Sequence, residues 1–320
     1  AGASVLFRGT SLGSAPVANV STIMFTSAPT VIGASGAAGT TTTSIIKGAF
    51  GDNSLSGTGT DMVVYNLGNT NGIRLLNGAG FSGEYSTTLA TNANVKLSGN
   101  VAASTVSINS LILNGYDVTN ASATITMASA SLAGNILINS ANTIAGASTT
   151  LGITTFELNI LATASSTISA IIGTATTGSL TLSGTGGVTL STASLHTGLT
   201  AINGTTLFYG ASNVLSSGGV TVVGGTLDIA GFSDTVGAVI LQNGTITGGA
   251  GTLIGTSYSF REGTVSAILG SSAAAVTVVA TSAPADAVVT MTRDNMYTGT
   301  TTITSGILKL GATGGGTNTP

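Results

Sequence analysis

The sequence predicts an all-β chain wound into a β-solenoid, and three observations predict it. Short stretches alternate with period two: in 218–231, Val220, Val222, Leu227 and Ile229 alternate with Thr221, Val223, Thr226 and Asp228, and Gly224-Gly225 separates the two runs. The same pattern returns in 178–191, 239–249 and 300–311, and internal repetition at about 20 residues is the mark of stacked coils. Charged residues are 5% of the chain, against about 25% in an average domain. Stacking equivalent positions sets like charge on like charge, which repels, so a coil-on-coil protein sheds charge.

Taken in order, residues 1–94 are the least regular part, read as an N-terminal portion of the same solenoid. Strands are expected at 4–8, 21–25 and 61–65, with a longer excursion over 66–83. Tyr65, Arg74, Phe81, Glu84 and Tyr85 make this the segment with the most varied side chains. Pro16, Pro29 and Pro284 fit strand ends or turns, where a missing N–H donor is tolerated. Over 95–320 the pattern tightens into regular repeats. Apolar runs at 95–97, 106–108, 111–113, 123–127, 136–138, 156–160, 168–172 and 180–182 follow one another with Gly, Asn, Ser and Thr between them. The Ala-rich stretch 271–279 runs into Val276-Thr-Val-Val279 and reads as strand. At about 20 residues per coil the chain would hold roughly 14 to 17 coils, a rod on the order of 70–80 Å. Sandwiches and barrels also use short strands at such spacing, but the segments here are alike and no long crossing connection separates them. No amphipathic helix caps either end, so the expected unit is a segment of a longer chain, or one whose ends pair with other copies.

Composition removes several function classes. Mean hydropathy is positive, yet no apolar run approaches the roughly 18 residues of a spanning helix, so no membrane span is expected in this segment. The net charge is −3, and the seven basic residues form no stripe, which argues against nucleic acid. There is no Cys and a single His, His196, so disulfide, thiol and Cys/His metal chemistry are not expected.

The run Thr292-Arg-Asp-Asn-Met-Tyr-Thr-Gly-Thr-Thr-Thr-Ile-Thr-Ser-Gly-Ile-Leu-Lys-Leu-Gly311 resembles the autotransporter-associated β-strand repeat, and 207–237 and 259–270 are similar to neighbouring units of that family. The resemblance is densest over 200–311, weaker over 95–199 and only compositional before that. It implies a right-handed parallel β-helix in long secreted or surface-attached bacterial proteins of adhesive or structural type, hence an extracellular or cell-surface location. The stretch carries no secretory signal, no run of strands suited to a membrane barrel and no appended catalytic domain.

Parallel β-helices also include polysaccharide lyases and glycosidases, which need carboxylates gathered within a few ångströms. The ten acids are scattered, and Asp228 and Asp234 are the closest in sequence. A strand-face charge and a turn carboxylate bonding its own backbone account for that pair. Arg261-Glu262 and Arg293-Asp294 read as turn residues, and His196 as an exposed or turn histidine. Gly57-Thr-Gly-Thr-Asp-Met-Val63 echoes one imperfect copy of a calcium nonapeptide, where tandem copies are needed. The Thr runs at 40–43 and 300–302 could form flat ladders for ice or carbohydrate. Asn19, Asn120, Asn203 and Asn243 fit the Asn-x-Ser/Thr pattern of a glycan acceptor. Asn109, Asn114, Asn139, Asn159, Asn203 and Asn243 are expected to stack as amide ladders at the turns. The expectation is therefore a non-enzymatic structural or adhesive fibre module with no catalytic, cofactor-binding or metal-ligating set. Its partners would be further repeats or other copies joined end to end, and surface glycans. A carbohydrate-active enzyme, or a glycan- or ice-binding surface, is the competing reading.

Overall fold

The structure is a computed structural model that describes residues 2–65, 72–127, 133–153, 156–174, 177–270, 273–279 and 287–311. Pro284, Asp286, most of the head of the 66–83 excursion, and Ala312 onward lie outside the described residues. All regular elements among the described residues are β-strands. From Asn94 to Leu310 they stack in parallel as a β-solenoid of about 10 turns.

The register shows why the chain winds. Val95, Leu111, Ile136, Ile160, Leu182, Ile202, Val222, Leu241, Phe260, Val278 and Ile303 are successive partners, one per rung. All but the last are buried. At about 1.5–3 kcal/mol for each fully buried large side chain, one such column outweighs any surface charge arrangement in the molecule. A second face carries its own column, from Val188 through Leu207, Leu227, Ile246, Val265 and Met291 to Leu310. A third, shorter face stacks Val106, Ile125, Leu151 and Ile172. It resumes with Leu253 above Asp234 and below Leu269. The corner between the first two faces is built from glycine. A Cβ on Gly244 would lie 2.3 Å from the Gly225 carbonyl oxygen, and one on Gly263 would lie 2.3 Å from that of Gly244. Both have φ near +120°, so only glycine lets successive coils close up there.

Three expectations are corrected. Residues before Asn94 do not form the first coils. Val5–Arg8, Ala49–Asp52, Asp61–Tyr65 and Ile73–Leu75 make a small mixed sheet, and Val31–Ile32 pairs antiparallel with Ile45–Ile46. This layer lies on the outside of the first face. There Ile112, Leu137 and Leu161 point away from the coil interior and are buried against Phe50, Met62, Val64 and Leu76. Antiparallel pairing turns the chain back on itself, which is incompatible with winding. The stretch 21–25, expected as a strand, lies between Pro16 and Pro29 and forms no ladder, engaging instead through single bonds such as the Ile73 N–H on the Ile23 carbonyl and the Ser21 N–H on the Thr10 carbonyl, and through the Phe25 ring packed edge-on against Phe7 and Tyr65. With this layer removed from the rod, and with several windings longer than the expected repeat, about 10 turns replace the expected 14 to 17.

The beginning of the rod is covered as well. Ser86 takes up the free edge of the first rung, accepting from Lys96 N–H and donating to the Asn94 carbonyl, while Leu89 and Ala90 pack over the end of the core. No helix was needed for that cap. At the other end, the last described rungs leave Ile303, Ile307 and Leu310 about half exposed.

Candidate functional site

Three ion pairs and two buried amides lie in the N-terminal layer or where it meets the rod. Arg74 and Glu84 form a buried bidentate pair with both N–O distances 2.6 Å. Glu84 also accepts from the Gly39 and Asn77 backbone N–H groups at 2.8 Å. Burial alone would raise the Glu84 carboxyl, but Arg74 and the two N–H donors together hold it below the usual carboxylate range. The Phe81 ring lies 3.9 Å from the guanidinium, closing the pair off. Lys96 on the first rung pairs with Asp61 of the layer at 3.2 Å, and burial nonetheless pushes the Asp61 carboxyl up. Glu157 takes the Gly2 N–H at 2.6 Å and the Thr181 hydroxyl at 2.7 Å, with Lys47 at 3.6 Å.

Amides complete the seam. Asn135 donates to the Ile46 and Ala49 carbonyls and accepts from Gly48 N–H at 3.1 Å. Asn94 donates to the Thr41 and Thr43 carbonyls and accepts from Ser110. The expected Asn ladders at the turns do not form. Asn159 stands in register with Asn135, one rung away. Asn203 pairs across to Ser183 and Gly224, and Asn243 to Val223. Asn94 and Asn135 serve the backbone of a chain laid across the coil, whereas the buried amides of Asn109 and Asn159 have no hydrogen-bond partner among the described residues.

The acids considered as a catalytic pair face apart. Asp228 sits on the outer surface and accepts from its own turn, Ala230 N–H, at 2.8 Å. Asp234 occupies an interior position below Leu253 and accepts from Leu215 N–H at 3.0 Å. Burial raises its carboxyl, with the Tyr209 hydroxyl beside it. His196 is buried, 1% exposed, against the expectation of a surface turn. It lies 2.9 Å from the Thr200 hydroxyl, and desolvation lowers it to about 4. The interior column on the third face draws it in, because Leu195 and His196 both donate to the Ile172 carbonyl. Asp52 organises the loop read as a calcium echo, accepting from Ser54 and Gly59 N–H groups. No group of three or more His, Cys, Asp or Glu able to hold a metal ion occurs among the described residues.

What the outside of the rod offers is hydroxyl columns. Thr40 and Thr43 bond the Ala37 carbonyl in a turn and make no ladder. On the second face, however, Thr206, Thr226, Thr245, Thr264 and Thr290 stack in register and end at Lys309. Beside them run Thr143, Thr167, Thr189, Phe208, Asp228 and Thr247. Asp117 heads that column, accepting from Thr143 N–H at 2.7 Å. A shallow groove of about 280 Å³ opens over its first rungs, lined by Asp117, Asn142, Thr143, Ser166, Thr167 and Thr189. Sequence reading found threonine where it was consecutive. Along a solenoid the useful hydroxyls are one per coil, far apart in the chain.

Comparison with known proteins finds no family model, no curated protein and no solved structure that matches this chain.

Proposed function

We propose that this chain is a non-enzymatic, rigid rod module of an extracellular or cell-surface fibre, structural or adhesive in role. The observation that carries this reading is the unbroken apolar column from Val95 to Val278, one buried side chain per coil. Among the described acids, Asp61, Glu84 and Glu157 are ion-paired, and Asp52, Asp117, Asp228 and Asp234 accept from backbone N–H groups at separate places along the chain. A chain organised this way spends its sequence on length and stiffness. The likeness of 292–311, and of 207–237 and 259–270, to the autotransporter-associated repeat supports a bacterial surface setting.

Growth at the two ends is unequal. The first rung is covered by Ser86, whereas the last described strands, Thr301–Ile303 and Ile307–Leu310, have partners on one side only among the described residues. Further repeats or another copy would therefore add at the Leu310 side by strand pairing. Electron microscopy of the purified chain is expected to show rods of roughly 48 Å, the length of about 10 rungs at 4.8 Å, thickened at one end by the N-terminal layer. Isotropic particles, or turnover of a polysaccharide by the purified chain, would overturn the reading.

A further inference from the structure

We infer that the outer column on the second face, from Asp117 to Thr247, is a binding site for a single extended chain of a neutral, β-linked polysaccharide, centred on Phe208. The inference deepens the adhesive reading and rests on it for the extracellular setting. Four features point the same way.

First, Phe208 is outward-facing and 38% exposed in a chain whose other described phenylalanines are less so. Its ring leans over Gly187: a Cβ there would come within 2.6 Å of the ring's Cε2. Glycine on the adjoining rung thus gives the ring room to lie along the sheet, which leaves a ring face toward solvent. An aromatic face of this kind is the usual apolar partner for the C–H face of a sugar ring.

Second, the platform is continuous with polar groups on both sides. Thr189 and Asp228 are its register neighbours, and Thr206 and Thr226 flank them in the adjacent column. On the Asp117 side the column runs into the groove, where hydroxyls predominate. Asp228, on the outer surface, uses Oδ1 to accept from Ala230 N–H. Sugars need this mix: hydroxyl donors and acceptors at the rim, a carboxylate oxygen to accept, and an apolar plate.

Third, the spacing fits a repeating ligand. Rungs recur at about 4.8 Å, close to the advance of one pyranose along an extended β-linked chain, so successive residues would meet equivalent hydroxyls. The six intervals from Asp117 to Thr247 span roughly 29 Å, room for about six residues.

Fourth, charge selects the class. Asp117 and Asp228 are the ionisable groups of the column, and no Lys or Arg stands in it; Lys309 ends the neighbouring column, several rungs away. A polyuronate or sulfated chain would meet two carboxylates along the column, the one cation near it among the described residues, Arg293, being bonded to the Gly249 carbonyl beyond the Thr247 end, so a neutral glycan is the ligand that this face accepts.

Affinity gel electrophoresis of the purified chain tests this with hydroxyethylcellulose, xyloglucan and galactomannan as neutral probes, and polygalacturonate and alginate as anionic ones. Retardation by at least one neutral probe and by neither anionic one is expected. Phe208→Ala should weaken it at least tenfold, with far-UV circular dichroism unchanged. Gly187→Ala, which keeps the ring but lifts it off the sheet, should weaken it comparably and guards against a folding defect in the first variant. Val223→Ala, on the first face, should leave it unaltered. No retardation by any neutral probe, retardation that survives both variants, or stronger binding to the polyanions would each overturn the site. So would ice-growth inhibition without glycan binding. If rods persist in micrographs while retardation is absent, the glycan falls and the rod stands; isotropic particles remove the rod reading whatever the gels show.

Discussion

His196 is the residue whose environment most changes its chemistry. Desolvation lowers it from 6.5 to about 4, so the folded chain holds it neutral where an unfolded chain would protonate it. Between those values the unfolded state binds more protons, and stability therefore falls as pH drops from 6.5 toward 4. A shift of that size corresponds to a loss on the order of 3 kcal/mol. Asp234 acts with the opposite sign. Its raised carboxyl makes the folded state the better proton binder just above 3.8, so its effect costs stability as pH rises there. Urea midpoints at pH 7 and pH 4.5 are expected to differ markedly in the native chain and much less in His196→Gln. Equal differences in both would remove the histidine as the cause. Glu84, held low by Arg74 and backbone donors, adds acid sensitivity below its ordinary range, where its protonation would break a buried pair.

At the scale of elements, the junction between layer and rod depends on buried amides, Asn94 and Asn135, that no pattern in the sequence singles out. Asn135 lies in the middle of strand Ala133–Ile138 and satisfies three backbone groups of the 46–49 turn at once. Removing its amide leaves those groups buried without partners, at about 1–3 kcal/mol each if none is rehydrated. Asn135→Ala is therefore expected to loosen the layer and leave the coils intact. Limited proteolysis checks this: cleavage within 30–60 should accelerate, while 180–260 stays resistant. Uniform acceleration along the chain would show instead that layer and rod unfold together. The outward residues Ile112, Leu137 and Leu161 explain why a layer is required at all. Left bare, three apolar rungs in a row would form an adhesive patch of the kind that soluble surfaces avoid.

For the whole molecule, a solenoid distributes stability along its axis, since each coil leans chiefly on its neighbours. The two ends here are treated differently. The first rung lies under Ser86, Leu89 and Ala90, whereas Ile303, Ile307 and Leu310 are about half exposed. Hydrogen exchange should consequently be fast in Thr301–Ile303 and Ile307–Leu310, slow from Ala133 to Phe260, and slow in Asn94–Lys96. Protection of the last rungs equal to that of the middle would mean that their outer edge is covered in solution. Exchange that slows with protein concentration would identify the cover as a second copy.

The winding itself was legible from the amino acids. Val220, Val222, Leu227 and Ile229 with their Gly-Gly break state strand, face and corner together, because period two fixes which side is buried and a solenoid repeats that statement once per coil. Low charge could be read the same way. Tertiary structure alone decided what happens before Asn94, since Val5–Arg8 and Asp61–Tyr65 are short apolar runs like those of the coils, and only the antiparallel pairing of Asp61–Tyr65 with Ala49–Asp52 and Ile73–Leu75 makes a layer of them. It also decided that Arg74 meets Glu84, that His196 lies inside, and that Phe208 stands over Gly187 beside Asp228. Local alternation determines faces. Which residues become neighbours depends on how many amino acids each winding takes, and windings here differ in length, so the columns exist only once the coils are stacked.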